Sequence, residues 1–308
     1  MGLRLLVIVG PTASGKTRLG VEAAHRLGSE IVSADSRQVY RGLDIGSGKD
    51  LEEYRSVSPP VPYHLIDVAD PASAYTLFHY QRDCYRLLKQ KAEEDAYRRG
   101  RPLVMVGGSG LWVEAVLRGY RIPDVPEDPA LRERLAPRSR DELIAELRDL
   151  DEELFRRTDC GTPRRVVRAL EIAHYARRHP VRTSPPPPVP IEAAVFAIEV
   201  PSEELRRRID ARLEARLAGG MIEEVRGLLE AGLSPGRLAA LGLEYREIGA
   251  YLGGTKSRDA MIEDLRRGIR RFAKRQRTWF RGLPRRGIEV RWIAGGDRKA
   301  LLAHAWPV

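Results

Sequence analysis

This chain has almost no cysteine: two in 308 residues, Cys84 and Cys160, far apart and without metal-type spacing. That excludes a disulfide framework and points to a reducing compartment, so a cytoplasmic location is expected. Long apolar runs are missing too, and no stretch is long enough to cross a bilayer, so no membrane partner is expected. The apolar stretch Leu3–Val9 stops at a Gly-rich turn, so it reads as a buried strand and not as a secretion signal. Five of the six histidines show no ligand spacing, and the sixth, His64, reads with Asp67 as a loop anchor; no zinc site is expected. Acid is the scarcer charge, with 43 Asp and Glu against 53 Lys and Arg, and the net charge of +10 suggests a polyanionic partner.

What remains is 43% hydrophobic and 31% charged, which fits a globular chain with a real core, in one large domain or two smaller ones. Leu3–Val9, Glu30–Ser33 and Leu103–Val106 read as strands, with helical patterns between them, notably Tyr75–Arg98. Alternation of this kind predicts an α/β fold on a parallel sheet. After Gly119 the character changes. Pro123, Pro126 and Pro129 punctuate the chain, residues 129–178 read as charged helix, and Pro185–Pro190 reads as a stiff extended spacer. Ala194–Val200 is strand-like again. The pattern predicts a helical insertion over 123–192, with 1–122 and 193–308 forming one discontinuous core. Further on, Glu203–Ala231 and Asp259–Trp279 read as helices, the second with Ile262, Leu265, Ile269 and Phe272 on one face, and Val290–Ile293 as a last edge strand.

Gly10-Pro11-Thr12-Ala13-Ser14-Gly15-Lys16-Thr17 fits G-x-x-x-x-G-K-T, directly after a strand and opening a helix. In that context it is a P-loop. Its backbone amides and the helix N-terminus suit phosphate oxygens, Lys16 adds a mobile cation, and the Thr17 hydroxyl can join the shell of a Mg2+ ion. The motif specifies a polyphosphate without choosing among ATP, GTP and a prenyl diphosphate. Asp35 follows the second strand, so it belongs near the P-loop. A carboxylate there can bind Mg2+, act as a general base, or cap the next helix, and spacing alone ranks capping first.

Several further segments complete a resemblance to the bacterial tRNA dimethylallyltransferases, also called tRNA isopentenyltransferases. The P-loop has that family's wording. Asp35-Ser36-Arg37-Gln38-Val39-Tyr40 and Leu43-Asp44-Ile45-Gly46 resemble its D-S-x-Q-x-Y…D-I-G block. His64 and Asp67 resemble H-x-x-D, and Gly107-Gly108-Ser109-Gly110-Leu111-Trp112 resembles G-G-T-G-L-Y. Arg165-Val166-Val167-Arg168-Ala169-Leu170-Glu171 resembles R-x-x-R-A-L-E, Arg208-Ile209 with Arg212 resembles R-I-x-x-R, and Lys274-Arg275-Gln276-Arg277-Thr278-Trp279-Phe280 is close to K-R-Q-x-T-W-F. The matches are collinear from Val9 to Phe280. The chain departs from the pattern at Ser109, usually Thr, at Gly46-Ser47-Gly48-Lys49-Asp50, usually G-T-A-K-P, and across 241–247.

The resemblance implies a P-loop α/β core with an inserted helical subdomain that grips the anticodon stem-loop. It implies transfer of a dimethylallyl group from dimethylallyl diphosphate to the adenosine on the 3′ side of the anticodon, by a monomer using Mg2+. Asp35, Ser109, Lys16 and Arg212 would be catalytic. The tRNA would be met by Asp35, Ser36, Arg37, Gln38, Ser109, Arg132, Arg164, Arg165, Val166, Val167, Arg168, Lys274 and Arg275. The alternative is a small-molecule or nucleotide kinase, with Asp35 activating a hydroxyl and the insertion acting as a lid. That reading leaves the K-R-Q-R-T-W-F segment without a job. The basic run Arg267, Arg270, Arg271, Lys274, Arg275 and Arg277 reads as an RNA-backbone contact, and Trp279 and Phe280 read as core. If those arginines meet RNA, tRNA affinity falls steeply as salt rises in a filter-binding titration, and a flat salt response would contradict the assignment.

Overall fold

The computed structural model describes residues 2–295 together with Asp297 and Leu301. Met1, 296, 298–300 and 302–308 of the expected core lie outside the described residues. The chain divides into two compact units, one comprising residues 1–119 and 187–308 and the other residues 120–186.

The first unit opens with β1 (Leu3–Val9) and α1 (Lys16–Leu27), then β2 (Ile31–Ser33), α2 (Glu52–Arg55), β3 (Tyr63–His64), α3 (Leu77–Glu93), α4 (Asp95–Arg98), β4 (Leu103–Gly107) and α5 (Gly110–Arg118). The second unit holds α6 (Pro129–Leu135), α7 (Arg140–Leu150), α8 (Glu152–Arg157) and α9 (Pro163–Ala176). The chain re-enters the first unit with β5 (Ile191–Glu199) and continues through α10 (Ser202–Ala218), α11 (Met221–Glu230), α12 (Pro235–Leu241), α13 (Leu243–Leu252), α14 (Arg258–Arg281) and β6 (Arg291–Ala294). Ile191 and Glu192, expected in the insertion, are already strand residues, because they pair with Leu3 and Arg4 of β1.

The described strands form one sheet in the order β3-β2-β4-β1-β5-β6, every pairing parallel. Parallel strands covered on both faces read as continuous apolar runs, which is why Leu3–Val9 and Leu103–Gly107 carry no polar alternation. The period of two still sorts them. Leu5, Val7 and Val9 point to one core with Leu103, Met105 and helices α3, α5 and α14. Leu6 and Ile8 point to the other with Val104, Val106 and helices α1 and α10. Burying these strand side chains gives about 1.5–3 kcal/mol each before chain entropy is charged against it.

The helix patterns hold with breaks. Glu203–Ala231 is two helices, because Gly219-Gly220 interrupts it and Gly220 has φ of 96°. Tyr75–Arg98 breaks at Glu94, an extended residue that ends α3 and precedes α4. Phe272 departs from its expected place on the buried face of α14: it is 43% exposed. The buried side turns along the helix, from Met261, Leu265 and Gly268 in its first half to Ala273, Gln276 and Phe280 in its second, and Phe272, in line with the first three, is left outside as it turns. Phe280 is fully buried and Trp279 packs half-buried against the same core.

The second unit has its own core of Leu131, Leu135, Leu143, Leu147, Val166, Ala169, Leu170 and Ala173. The last four make the i, i+3, i+4, i+7 face of α9. Its chain ends run side by side: Pro123 bridges Thr183, Asp124 donates to the Arg182 carbonyl at 2.8 Å, and Ser184 donates to Ile122 at 2.8 Å. At its centre Glu171 is fully enclosed. It accepts two bonds from Arg132, at 2.7 and 3.1 Å, one from Arg168 at 3.0 Å, and one from the Asp128 backbone at 2.9 Å. A buried carboxylate is tolerated only when its lone pairs are satisfied in this way.

Candidate active site

The site gathers where strands end. β1, β2 and β4 are parallel neighbours, so the loops after Val9, Ser33 and Gly107 leave from the same edge of the sheet. The P-loop leaves β1 and turns through Ala13, with φ of 61°, and Gly15, with φ of 85°, into α1. The β2 and β4 exits touch through their backbones. Ala34 donates to the Val106 carbonyl at 2.8 Å, Ser109 donates to the Ala34 carbonyl at 3.2 Å, and a Cβ on Gly107 would stand 2.1 Å from that Ala34 oxygen. Only glycine permits that approach.

Side chains then tie the loops together. The Ser109 hydroxyl accepts the Ser36 N–H at 3.0 Å and donates to the Ser36 hydroxyl at 3.3 Å. Asp35 accepts the Arg37 N–H on Oδ1 at 3.0 Å, an Asx turn, and among the described residues its Oδ2 has no hydrogen-bond partner. No helix follows Asp35, since residues 36–39 form a turn, so the helix cap expected from spacing is replaced by this Asx turn, which leaves one carboxylate oxygen for other work. Gln276, on the buried face of α14, accepts the Thr12 N–H at 2.9 Å and donates to the Gly108 carbonyl at 2.9 Å. It joins the phosphate loop to the β4 loop.

Positive charge is concentrated here. Lys16 lies across Gly108, its Nζ 3.5 Å from the Pro11 carbonyl. Burial holds its ammonium below the usual lysine value, at about 8; Asp35 pulls it upward and Arg212 pushes it down. Arg212, on α10, puts Nη1 3.4 Å from Thr12 Oγ1 and pairs through Nη2 with Asp50. Arg216 follows one turn later, 3.8 Å from Asp50, with its guanidinium held below its usual value by burial and by Arg212. Burial raises the carboxyls of Glu53 and Glu244 beside this group.

The remaining sequence-selected residues divide by what they touch. Gln38 is buried and fully engaged, accepting from Ser33 Oγ at 3.1 Å and donating to the Gly48 carbonyl at 2.8 Å. Arg37 donates to the Ala240 carbonyl at 3.1 Å. In the second unit Arg132 and Arg168 hold Glu171, Arg165 pairs with Asp159, and Arg164 is exposed. The Val166 side chain is wholly inside that unit's core and Val167 packs beside it, so an RNA contact by Val166 would be through its backbone. Lys274 and Arg275 are exposed on α14. Of the wider basic run, Arg270 pairs with Asp210 and Arg267 with Asp264. Sequence reasoning missed Gln276 as a site residue although it lay in a quoted motif, because a glutamine's role depends on what its amide reaches. It also missed Arg216 and Glu224, which carry no motif signal of their own, and Asp50, noted only as a departure from the family pattern.

Comparison with known proteins places this geometry. A family model described as IPP transferase matches residues 38–283, and one described as isopentenyl transferase matches residues 3–57. The tRNA dimethylallyltransferase 1 of Syntrophus aciditrophicus is 48% identical over 297 residues, 96% of this chain and 95% of that protein. The tRNA dimethylallyltransferase 1 of Porphyromonas gingivalis is 44% identical over 289 residues, 94% of this chain and 93% of that protein. The crystal structure of the full-length tRNA isopentenylpyrophosphate transferase of Bacillus halodurans superposes with a TM-score of 0.68 at 31% identity, covering 98% of this chain and 94% of that one.

The Lys16 environment has a measurable consequence. Its charged form is lost as pH rises through about 8, so affinity for inorganic pyrophosphate measured by calorimetry falls over that range. A Lys16→Arg variant, which stays protonated, loses this limb of the profile. A wild-type profile flat from pH 7 to about 9.5 would contradict the assignment.

Proposed function

This chain belongs to the IPP transferase family, and from that premise we propose that it transfers a dimethylallyl group from dimethylallyl diphosphate to the exocyclic amine of the adenosine 3′ to the anticodon of tRNA. The observation that carries the proposal is the meeting of Asp35, Ser109 and the P-loop lysine at one sheet edge, in a chain whose relatives are named tRNA dimethylallyltransferases. The kinase alternative leaves the Lys274–Phe280 segment without a role, whereas Gln276 of that segment braces the P-loop.

In this reading the amine nitrogen attacks the allylic carbon, the carbon–oxygen bond to the diphosphate breaks, and the diphosphate leaves with the electron pair. Asp35 Oδ2 takes the amine proton while Oδ1 keeps the Arg37 N–H. Ser109, fixed by Ser36, orients the amine or a diphosphate oxygen. The P-loop amides, Lys16 and Arg212 face the charge that grows on the leaving diphosphate, where preorganised donors act most strongly.

Among the described residues no cluster of three or more His, Cys, Asp or Glu could cage a metal. The Thr17 hydroxyl, at the start of α1 in the P-loop, is the side chain that would help hold Mg2+. Bound there, it would neutralise phosphate charge. The target base must leave its stack to reach Asp35. Arg164, Arg165, Lys274 and Arg275 are the exposed cations offered to the RNA backbone, and the 120–186 unit is the element proposed to grip the anticodon stem-loop. The enzyme is taken as a cytoplasmic monomer, and no helix among the described residues is long and apolar enough to cross a membrane.

The test is incubation with Mg2+, labelled dimethylallyl diphosphate and unmodified tRNA, followed by digestion of the RNA. Label in a prenylated adenosine is expected. Asp35→Asn, which can still accept the Arg37 N–H, should lower the rate by about 10²–10⁴-fold and leave tRNA affinity unchanged. An Asn variant with wild-type rate would remove Asp35 from the base role.

A further inference from the structure

We propose that Asp50 is an internal stand-in for the diphosphate: its carboxylate holds Arg212 and Arg216, and the incoming diphosphate takes their cations by displacing it. The inference rests on the assignment of Lys16, Arg212 and the P-loop to the diphosphate.

Four observations carry it. Arg212 spans the two anion positions, with one nitrogen on Asp50 and the other 3.4 Å from Thr12 Oγ1 in the phosphate loop. Arg216 stands 3.8 Å from the same carboxylate, and its Nη2 is buried without a hydrogen bond, a donor left unspent by Asp50. Asp50 itself sits at φ of 47°, a left-handed conformation that a non-glycine residue adopts at a cost. Its carboxylate side chain is 37% exposed, so it can swing away from the arginines without unpacking a core.

The loop around Asp50 is braced so that this one side chain is presented. Glu224 accepts three successive backbone N–H groups, from Asp44, Ile45 and Gly46, at 2.8, 2.6 and 3.0 Å, and also the Tyr245 hydroxyl at 3.0 Å. Buried Lys49 pairs with Asp44 and Asp67, and Gln38 holds the Gly48 carbonyl. Gly48 lies under the Arg216 guanidinium so closely that a Cβ there would stand 1.7 Å from Nη2. The brace therefore fixes the backbone and leaves the Asp50 carboxylate as the movable part. A diphosphate placed against Arg212 and Lys16 would face that carboxylate with like charge, and exchange relieves the repulsion.

The test is calorimetric binding of inorganic pyrophosphate, with no divalent metal added, to the wild type and to Asp50→Asn, Glu53→Gln and Lys16→Ala. Asparagine tolerates the left-handed backbone, so Asp50→Asn should fold, and thermal melting checks this. A second variant, Asp50→Gly, removes the strain as well. Glu53 lies in the same charge environment but makes no ion pair with either arginine. Asp50→Asn and Asp50→Gly are expected to bind pyrophosphate about three- to tenfold tighter than wild type, with Glu53→Gln much less affected. Unchanged or weaker binding in both Asp50 variants would overturn the stand-in role. Equal tightening in Glu53→Gln would overturn it too, since the effect would then be general charge. If wild type and Lys16→Ala bind alike, or wild type does not bind, the diphosphate site itself is misplaced and the inference falls with it.

Discussion

Gln276 reaches from the buried face of α14 into the gap between two loops and bonds the backbone of both, taking the Thr12 N–H and giving to the Gly108 carbonyl. The Gly108 carbonyl is buried and would cost about 1–3 kcal/mol if left unpaired, and the Thr12 N–H is partly buried. The bond does more than satisfy them. It fixes the phosphate loop relative to the loop that carries Ser109, and it does so from a helix whose outer face carries Arg271, Lys274 and Arg275. One side chain thus joins the P-loop, the loop after β4 and the basic helix.

The rest of the site follows from bringing cations together and then paying for their repulsion. Burial and the two arginines lower the proton affinity of Lys16, burial and Arg212 lower that of Arg216, and Asp50, joined at Lys16 by Asp35, offsets part of this. Neither aspartate is caged. Asp35 keeps an oxygen free of hydrogen bonds, and Asp50 is half-exposed at the end of a loop that Glu224 and Lys49 hold rigid. Rigid backbone with a few unspent polar atoms is the arrangement expected of a preorganised transfer site. The second unit handles charge differently. Arg132 and Arg168 close around buried Glu171, which leaves Arg164 and Arg165 on its surface.

Much of this was legible in the sequence for identifiable reasons. Strand–P-loop–helix is a local signal, and β1, β2, β4, β5 and β6 appear within one to three residues of where apolar runs place them. Strand order was not legible, because parallel pairing is set by long-range packing; β3 is two residues long and has no pattern to find. Phe272 shows the limit of counting threes and fours: the apolar face of α14 drifts, and the aromatic ends outside it under the Arg275 guanidinium. At the site, Lys16 was read from the P-loop motif and Asp35 from its place after β2, Ser109 and Arg212 were added by the family resemblance, and the structure brings Asp35, Lys16 and Arg212 into one electrostatic neighbourhood and ties Ser109 to the Asp35 loop. Gln276, Glu224 and Asp50 were out of reach because they act through contacts 160 or more residues away, at Thr12 (264 residues apart), Asp44 (180) and Arg212 (162).

The measurement that tests this account most directly is hydrogen–deuterium exchange of the P-loop segment, residues 10–17, in the wild type and in Gln276→Met. Methionine keeps the volume and removes both hydrogen bonds. The account predicts exchange in that segment faster by about fivefold or more, with β5 and β6 unchanged. Unaltered exchange at residues 10–17 would mean that the phosphate loop holds itself, and that α14 has no part in setting the site.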